Sequence, residues 1–569
     1  MAYKVGISSG WWRIAKDPAL LGLAVKAGQF GATGGVQFNQ VDLDTILEFL
    51  EPDLKKFITR FTKELGIQIG LHGEVQPAPV ALESAERRMW EQSHDRNVVT
   101  VKAAADLGFV YINIHTSNTV QLIQEEARIR PFGFQFQIVD PFGRPFWRLA
   151  EESPAVKNYI LRLLAKQGGM VRELQGEEIF RERADKFNKE LDEEITREAI
   201  RRIHERINQG QTEDTNVRTE YDRVRAEMEN SGILRRRYAE LWYSVWKDSI
   251  FAKYTIEAGE IDAYIAVGAY MIEKNDPIWT NIVGSTSEAG PNASPGDRSE
   301  WAYVNKHAQF NAAVAAKYIE GHLTVKDNEF NKKVLEGKSM LEFCGKTGVK
   351  ILLEMPQSGE GVEGLSRLYN PLETIHLLRK LGSPILLLTI DFEQTMAQRI
   401  DIDNDLIAKM PPDFGKFVYL LHLGEPIPYF GTAHIPIAIG GHGQDVLYRW
   451  IYALRKTGFK DGVLIFERGG GRSGQGKGSF DVFEESVKAV RQITKYLEQD
   501  FNPQELPPEF YGISFENKDV YARQIVSMRD HAWDPLEGLL MQPEEKHGFF
   551  SRAAVEKGKG EIWEKRKWR

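Results

Sequence analysis

Six residues able to hold a cation or carry a proton stand where short apolar runs stop: His72, His115, Glu354, Asp391, His422 and Glu467. The runs before them span 67–71, 109–114, 350–353, 384–390, 417–421 and 462–466. A short apolar run bounded by helical patterns reads as a buried parallel strand, and polar residues at the C-terminal ends of such strands face the catalytic mouth of a β/α barrel. Carboxylates gathered there would repel one another at a cost of several kcal/mol unless protons or a cation neutralise them. A metal is the simplest compensation, and the oxygen-rich set Glu354, Asp391, His422 and Glu467, with one imidazole, suits a divalent ion such as Zn, Mn, Fe or Mg.

The elements that must position these groups follow from hydrophobic period. Strands are expected at 3–8, 35–39, 67–71, 109–114 and then at the four later runs, with helices at 17–27, 44–65, 81–107, 370–381, 402–410, 444–457 and 481–498. The first four strands and the last four give a complete (β/α)8 set, an α/β TIM barrel whose halves occupy 1–122 and 299–500. Between them, 123–298 is a large helical insertion after strand 4. Its residues Phe187, Leu191, Ile195, Ala199, Ile203 and Ile207 form one apolar stripe, and Val217, Tyr221, Val224 and Met228 a second, separated by the polar turn 208–216. Two such helices make an antiparallel hairpin: a packed arm, a dimer contact or a lid, since the insertion leaves from the same barrel face as the six residues. Residues 284–299, rich in Gly, Ser, Pro and Asn, read as a mobile loop closing the insertion. A C-terminal extension, 501–569, ends in the basic Lys565-Arg566-Lys567-Trp568-Arg569.

Bulk properties narrow the setting. A net charge of −8 over 569 residues gives no global pull toward polyanions, so a nucleic-acid role would need a local basic patch. One cysteine, Cys344, rules out an internal disulfide and a cysteine-based zinc cluster. With no apolar run of membrane-spanning length, the expected setting is the cytoplasm, away from membranes.

The order and context of these residues resemble the xylose-isomerase-like barrel superfamily, and within it the endonuclease IV type of apurinic endonuclease. The matching stretches are Gly70-Leu71-His72, Ile112-Asn113-Ile114-His115, Leu353-Glu354-Met355-Pro356-Gln357-Ser358-Gly359-Glu360-Gly361, Thr389-Ile390-Asp391, Leu421-His422-Leu423 and Leu464-Ile465-Phe466-Glu467. The resemblance implies that Glu354, Asp391, His422 and Glu467 form the metal site shared with sugar isomerases and epimerases. It further implies a second ion on His72 and His115, bridged by Glu354, as in the nuclease branch. Where that branch completes a third zinc site with a His three residues after the Asp and with an Asp-x-His pair, this chain has Gln394 and Thr432-Ala433-His434.

Two chemistries stay open. With two ions, one activates water and the other stabilises a phosphate oxygen, which suits a phosphoester or phosphodiester hydrolase; this is the leading expectation. With one ion, Glu354 and Glu467 act as the acid/base pair of a sugar or sugar-phosphate isomerase or epimerase. A third expectation is a scaffold whose arm engages nucleic acid or a ribonucleoprotein, or pairs chains into a homo-oligomer. Substrate contacts are expected from the glycine-rich loop 469–479, where Arg472 and Lys477 would grip a phosphate-bearing small molecule or nucleic acid. His434, His442, Gln394, Glu74 and Trp12, beside Trp11, are further candidates. The same loop is a near miss to a nucleotide P-loop, with Gly478 where the Mg-binding hydroxyl belongs.

Overall fold

A computed structural model describes residues 3–8, 37–42, 52–73, 81–116, 138–166, 178–210, 215–248, 260–355, 368–426, 435–467 and 480–513. Eight parallel strands close into a barrel in sequence order: β1 (Tyr3–Ser8), β2 (Phe38–Asp42), β3 (Gln68–His72), β4 (Tyr111–His115), β5 (Lys350–Glu354), β6 (Leu386–Asp391), β7 (Val418–Leu423) and β8 (Gly462–Phe466). β8 returns to pair with β1, so no edge is left to bind another strand. The expected α/β barrel is therefore the architecture.

The helices of the first half and the insertion are α1 (Pro52–Leu65), α2 (Arg87–Leu107), α3 (Trp147–Glu152), α4 (Pro154–Lys166), α5 (Glu178–Asn208), α6 (Val217–Asn230), α7 (Ile233–Asp248), α8 (Glu260–Glu273), α9 (Pro277–Ile282) and α10 (Pro295–Asn305). The second half adds α11 (His307–Thr324), α12 (Glu329–Val334), α13 (Met340–Thr347), α14 (Pro371–Leu381), α15 (Phe392–Ala397), α16 (His442–Lys456) and α17 (Phe480–Glu498). Among the described residues no helix is long and apolar enough to cross a membrane.

Side chains alternate in and out along each strand, so residues two apart share a face. The barrel interior is plugged by Phe38, Tyr111, Leu352, Leu420, Val463 and Ile465, all fully buried. Two residues further along β2, β4, β5 and β7, on the same face, stand Gln40, Asn113, Glu354 and His422. The apolar plug thus forms the floor of a polar layer. Tyr111 stacks on Phe38 with ring centroids 5.3 Å apart, and its ring fills the space beside Gly70: a Cβ there would lie 2.1 Å from Tyr111 Cζ.

Several sequence expectations shift, and the helix expected at 402–410 is a π turn, Ile402–Leu406, followed by a 3-10 turn, Ile407–Lys409. The second strand runs Phe38–Asp42 rather than 35–39, which brings Gln40 into the wall. The helix expected over 81–107 begins at Arg87, because the Glu86 carboxylate accepts from the backbone N–H groups of Arg88 (3.0 Å) and Met89 (2.8 Å) and caps it there. The 284–299 stretch is not a loop throughout: Ser294 and Asp297 cap each other's backbone N–H groups and start α10 at Pro295. The helix expected at 17–27 lies outside the described residues.

The insertion docks on the barrel's helical ring. Asp276, the N-cap of α9, and Glu320 of α11 meet the buried amine of Lys317 at 3.0 Å each, and Lys380 of α14 reaches both carboxylates at 2.6 Å. The expected hairpin of α5 and α6 forms, with α7 as a third helix: Leu191, Ile195, Ala199, Val224 and Leu234 make a small core of their own. Ile207 and Val217, beside the turn, stay exposed. Of the C-terminal extension, Phe510 is buried against Tyr448 of α16 and Tyr496 of α17. Residues 514–569 lie outside the described residues.

Gly70→Ala should overpack the barrel interior against Tyr111 and destabilise by about 1–3 kcal/mol. A thermal midpoint unchanged from the parent protein would contradict this packing.

Candidate metal centre

The six expected donors meet at one mouth of the barrel. Glu354 and Asp391 end β5 and β6, His422 is the penultimate residue of β7, and Glu467 follows β8 directly; His72 and His115 end β3 and β4. Strand register sets them side by side, His115 opposite Glu354 and Asp391 opposite His422. A register shift between Leu388 and Thr389 produces the second pairing. Glu354, Asp391, His422 and Glu467 offer ligand atoms all within 4.8 Å of one another, and so do His72, His115 and Glu354.

Glu354 belongs to both groups, and its two oxygens are divided between them. Oε1 lies 2.9 Å from His422 Nδ1; Oε2 lies 3.2 Å from His72 Nε2 and 3.6 Å from His115 Nε2. His422 Nδ1 is also 2.7 Å from Glu467 Oε2 and 3.9 Å from Asp391 Oδ2. Asp391 Oδ1 accepts from the backbone N–H of Gln394 at 2.9 Å, whereas Oδ2 is buried with no hydrogen-bond partner. An orphaned carboxylate oxygen aimed at three other oxygen and nitrogen donors is what a cation site needs, so these residues fit a divalent ion.

Hydrogen bonds fix the imidazoles. A carbonyl can only accept, so His72 donates from Nδ1 to Gly73 O and His115 from Nδ1 to Met355 O, each at 3.1 Å. When these rings are neutral, both Nε2 lone pairs face the Glu354 carboxylate, an arrangement that repels unless something positive stands between. Asn113 donates to Glu354 Oε2 and accepts from Thr389 Oγ1 at 2.7 Å, which holds the shared carboxylate in place. These orienting partners resemble the outer shell that metal sites use to aim their ligands.

Charge is balanced by protons. Burial pushes Glu354 up, but His422 and His115 outweigh it and hold its carboxylate well below the usual range. Burial pulls His422 down, yet Glu467 and Glu354 raise it well above an ordinary imidazole. Burial, then Glu467 and Glu354, push Asp391 well above an ordinary carboxyl, while burial holds His115 below an ordinary imidazole. Both shifts favour the protonated forms of His422 and Asp391, so protons and a cation compete for the same atoms.

Of the other expected contacts, Gln394 is buried beside Asp391 in α15 with its side-chain oxygen unpartnered, and His442 is the exposed first residue of α16. Trp11, Trp12, Glu74, His434, Arg472, Lys477 and the rest of the 469–479 loop lie outside the described residues. Sequence reading missed Gln40, Tyr111, Asn113 and Thr389. Their signal was parity: each shares a strand face with a site residue or with the apolar plug.

No family model matches the chain, and no curated protein matches it either. Among solved structures, a D-tagatose 3-epimerase-like protein is 11% identical over 87% of this chain and 98% of that chain, with a TM-score of 0.33. D-psicose 3-epimerase from Clostridium cellulolyticum H10 is 10% identical over 87% and 99%, TM-score 0.36. D-allulose 3-epimerase from Methylomonas sp. is 9% identical over 88% and 98%, TM-score 0.37. At such values the likeness carries no functional argument; the barrel is established by this chain's own strand pairing.

Because His422 and Asp391 are both raised, ion binding should release protons, and affinity should weaken as pH falls because protons and ion compete for the same atoms. Calorimetric titration with Mn2+ in buffers of different ionisation enthalpy reads that release. Binding without proton release would contradict the charge balance described here.

Proposed function

We propose that this protein is a divalent-metal-dependent isomerase or epimerase acting on a sugar or sugar phosphate. The observation that carries the reading is the four-donor group at the ends of β5 to β8, in which two glutamates approach one histidine nitrogen from different strands, at 2.9 and 2.7 Å. When bound there, a divalent ion supplies Lewis-acid polarisation of a sugar's neighbouring oxygens. The residues supply the proton traffic. Glu354, held ionised, is a proton acceptor at the buried side of the group, and Glu467, with its side chain 11% exposed, stands nearer the open mouth. A proton taken from carbon by one carboxylate and returned by the other inverts a centre; returned to the neighbouring carbon, it moves the carbonyl. The same four positions are those that the sequence resemblance assigns to the metal site of sugar isomerases and epimerases.

A second reading, phosphate-ester hydrolysis, is favoured by one observation: His72 and His115 complete a second donor group on the other oxygen of Glu354. Two ions sharing that carboxylate would suit water activation on one side and phosphate binding on the other.

The two readings separate experimentally. Mn2+- or Co2+-loaded protein incubated with ketohexoses and pentuloses, free and phosphorylated, in deuterated water should place deuterium on the reacting carbon of the recovered sugar. Glu467→Gln should cut exchange by about 100-fold or more. Release of phosphate or nucleic-acid ends with no carbon-bound deuterium, together with two ions per chain, would replace the first reading with the second.

A further inference from the structure

We propose that Gln40, on β2, is a positioning residue for the metal centre: its side-chain oxygen, shared with the Tyr111 hydroxyl, holds the His422 ring with Nδ1 toward the ion. This rests on the metal-centre reading above, and it concerns how a strand on the far side of the barrel sets one ligand.

His422 has two ring nitrogens and only one faces the carboxylates. Nδ1 meets Glu354 and Glu467, while Nε2 lies 3.0 Å from Gln40 Oε1. An amide oxygen can only accept, so Nε2 carries a hydrogen, and once the proton on Nδ1 is displaced it is Nδ1 that offers the lone pair a metal requires. The Tyr111 hydroxyl donates to the same oxygen at 2.8 Å. Two donors on one acceptor hold the amide oxygen toward the ring, and all three residues are fully buried, so water does not substitute. Tyr111 in turn is placed by the face of Phe38 and by the missing side chain at Gly70. A chain of contacts therefore runs from β3 through β4 and β2 to β7 and ends on the metal-facing nitrogen.

The choice of an amide follows from charge. Three carboxylates already share the centre, and a fourth acid at position 40 would add to their repulsion; glutamine supplies the acceptor without it. Removing that acceptor frees the ring to place its hydrogen on Nδ1 and its lone pair on Nε2, away from the ion. Loss of such an orienting partner typically weakens metal binding by about 10- to 100-fold.

The test compares Gln40→Met, of similar size with no acceptor oxygen, with Gln40→Glu, which keeps an acceptor and cannot donate. Co2+ affinity is read by chelator competition, and the His422 tautomer by nitrogen-15 NMR of the imidazoles, with His422→Gln assigning the signal. Expected results are a 10- to 100-fold loss of Co2+ affinity and a changed His422 nitrogen pattern in Gln40→Met, with Gln40→Glu keeping the parent pattern and most of the affinity. Tyr111→Phe, which keeps the ring and loses only the hydroxyl, should lose a smaller share, and it serves if Gln40→Met does not fold. Parent-like affinity and nitrogen pattern in both Gln40→Met and Tyr111→Phe would overturn the proposal. A parent protein that binds no Co2+ would instead overturn the metal-centre reading, and the imidazole spectra, recorded at a pH where His422 carries a single hydrogen, would still decide the role of Gln40.

Discussion

One buried carboxylate governs this barrel. Glu354 is wholly shut off from solvent at the end of β5, in a position where an isolated charge would cost several kcal/mol or would take up a proton. It is held ionised chiefly by the His422 ring at one oxygen and by the Asn113 amide donating to the other, where His72 and His115 also stand. The excess negative charge that remains raises its neighbours Asp391 and His422 above their ordinary ranges, so both favour protons where a divalent ion would compete. The proposed metal binding and acid/base chemistry would both draw on this one charge balance.

The barrel achieves this by layering. Phe38, Tyr111, Leu352 and Leu420 close the lower interior, and the next inward position on each of their strands is polar. Because inward positions recur every second residue, β2, β4, β5 and β7 each place a polar residue directly above the plug residue they contribute. The floor keeps water from below, which strengthens the hydrogen bonds and ion pairs above it. Parallel register then decides which donors become neighbours, and the shift in β6 brings Asp391 level with His422.

Among the described residues, the insertion is tied to this barrel by charge and by apolar packing. Lys317 and Lys380 neutralise Asp276 and Glu320 in a network whose Lys317 and Asp276 are almost fully buried, so α9, α11 and α14 are locked to one another. Breaking one member of such a network leaves a buried charge without a partner, which costs far more than the network gains over apolar packing. The three-helix arm of α5, α6 and α7 has its own small core and reaches the rest of the molecule through α4, against which α7 packs. It is built as a separate packing unit on a firmly docked base.

Much of this was legible in the residue order. Apolar runs ending in Glu354, Asp391, His422 and Glu467 announced the strands and the cluster of side chains at their ends, because a buried parallel strand must be apolar and polar residues are left to its end. The stripe from Leu191 to Ile203 announced the arm, because helical period places those residues on one face. What the sequence left undetermined were partners rather than elements: that Glu354 would be divided between two histidine groups, that Asp391 would have an oxygen without a donor, and that Gln40 would carry the far side of His422. Residues hundreds of positions apart become neighbours only through strand register and barrel closure. Period and local propensity specify which way a side chain points along its own strand; the distance across the barrel, and with it the charge each group bears, is fixed only when all eight strands have paired.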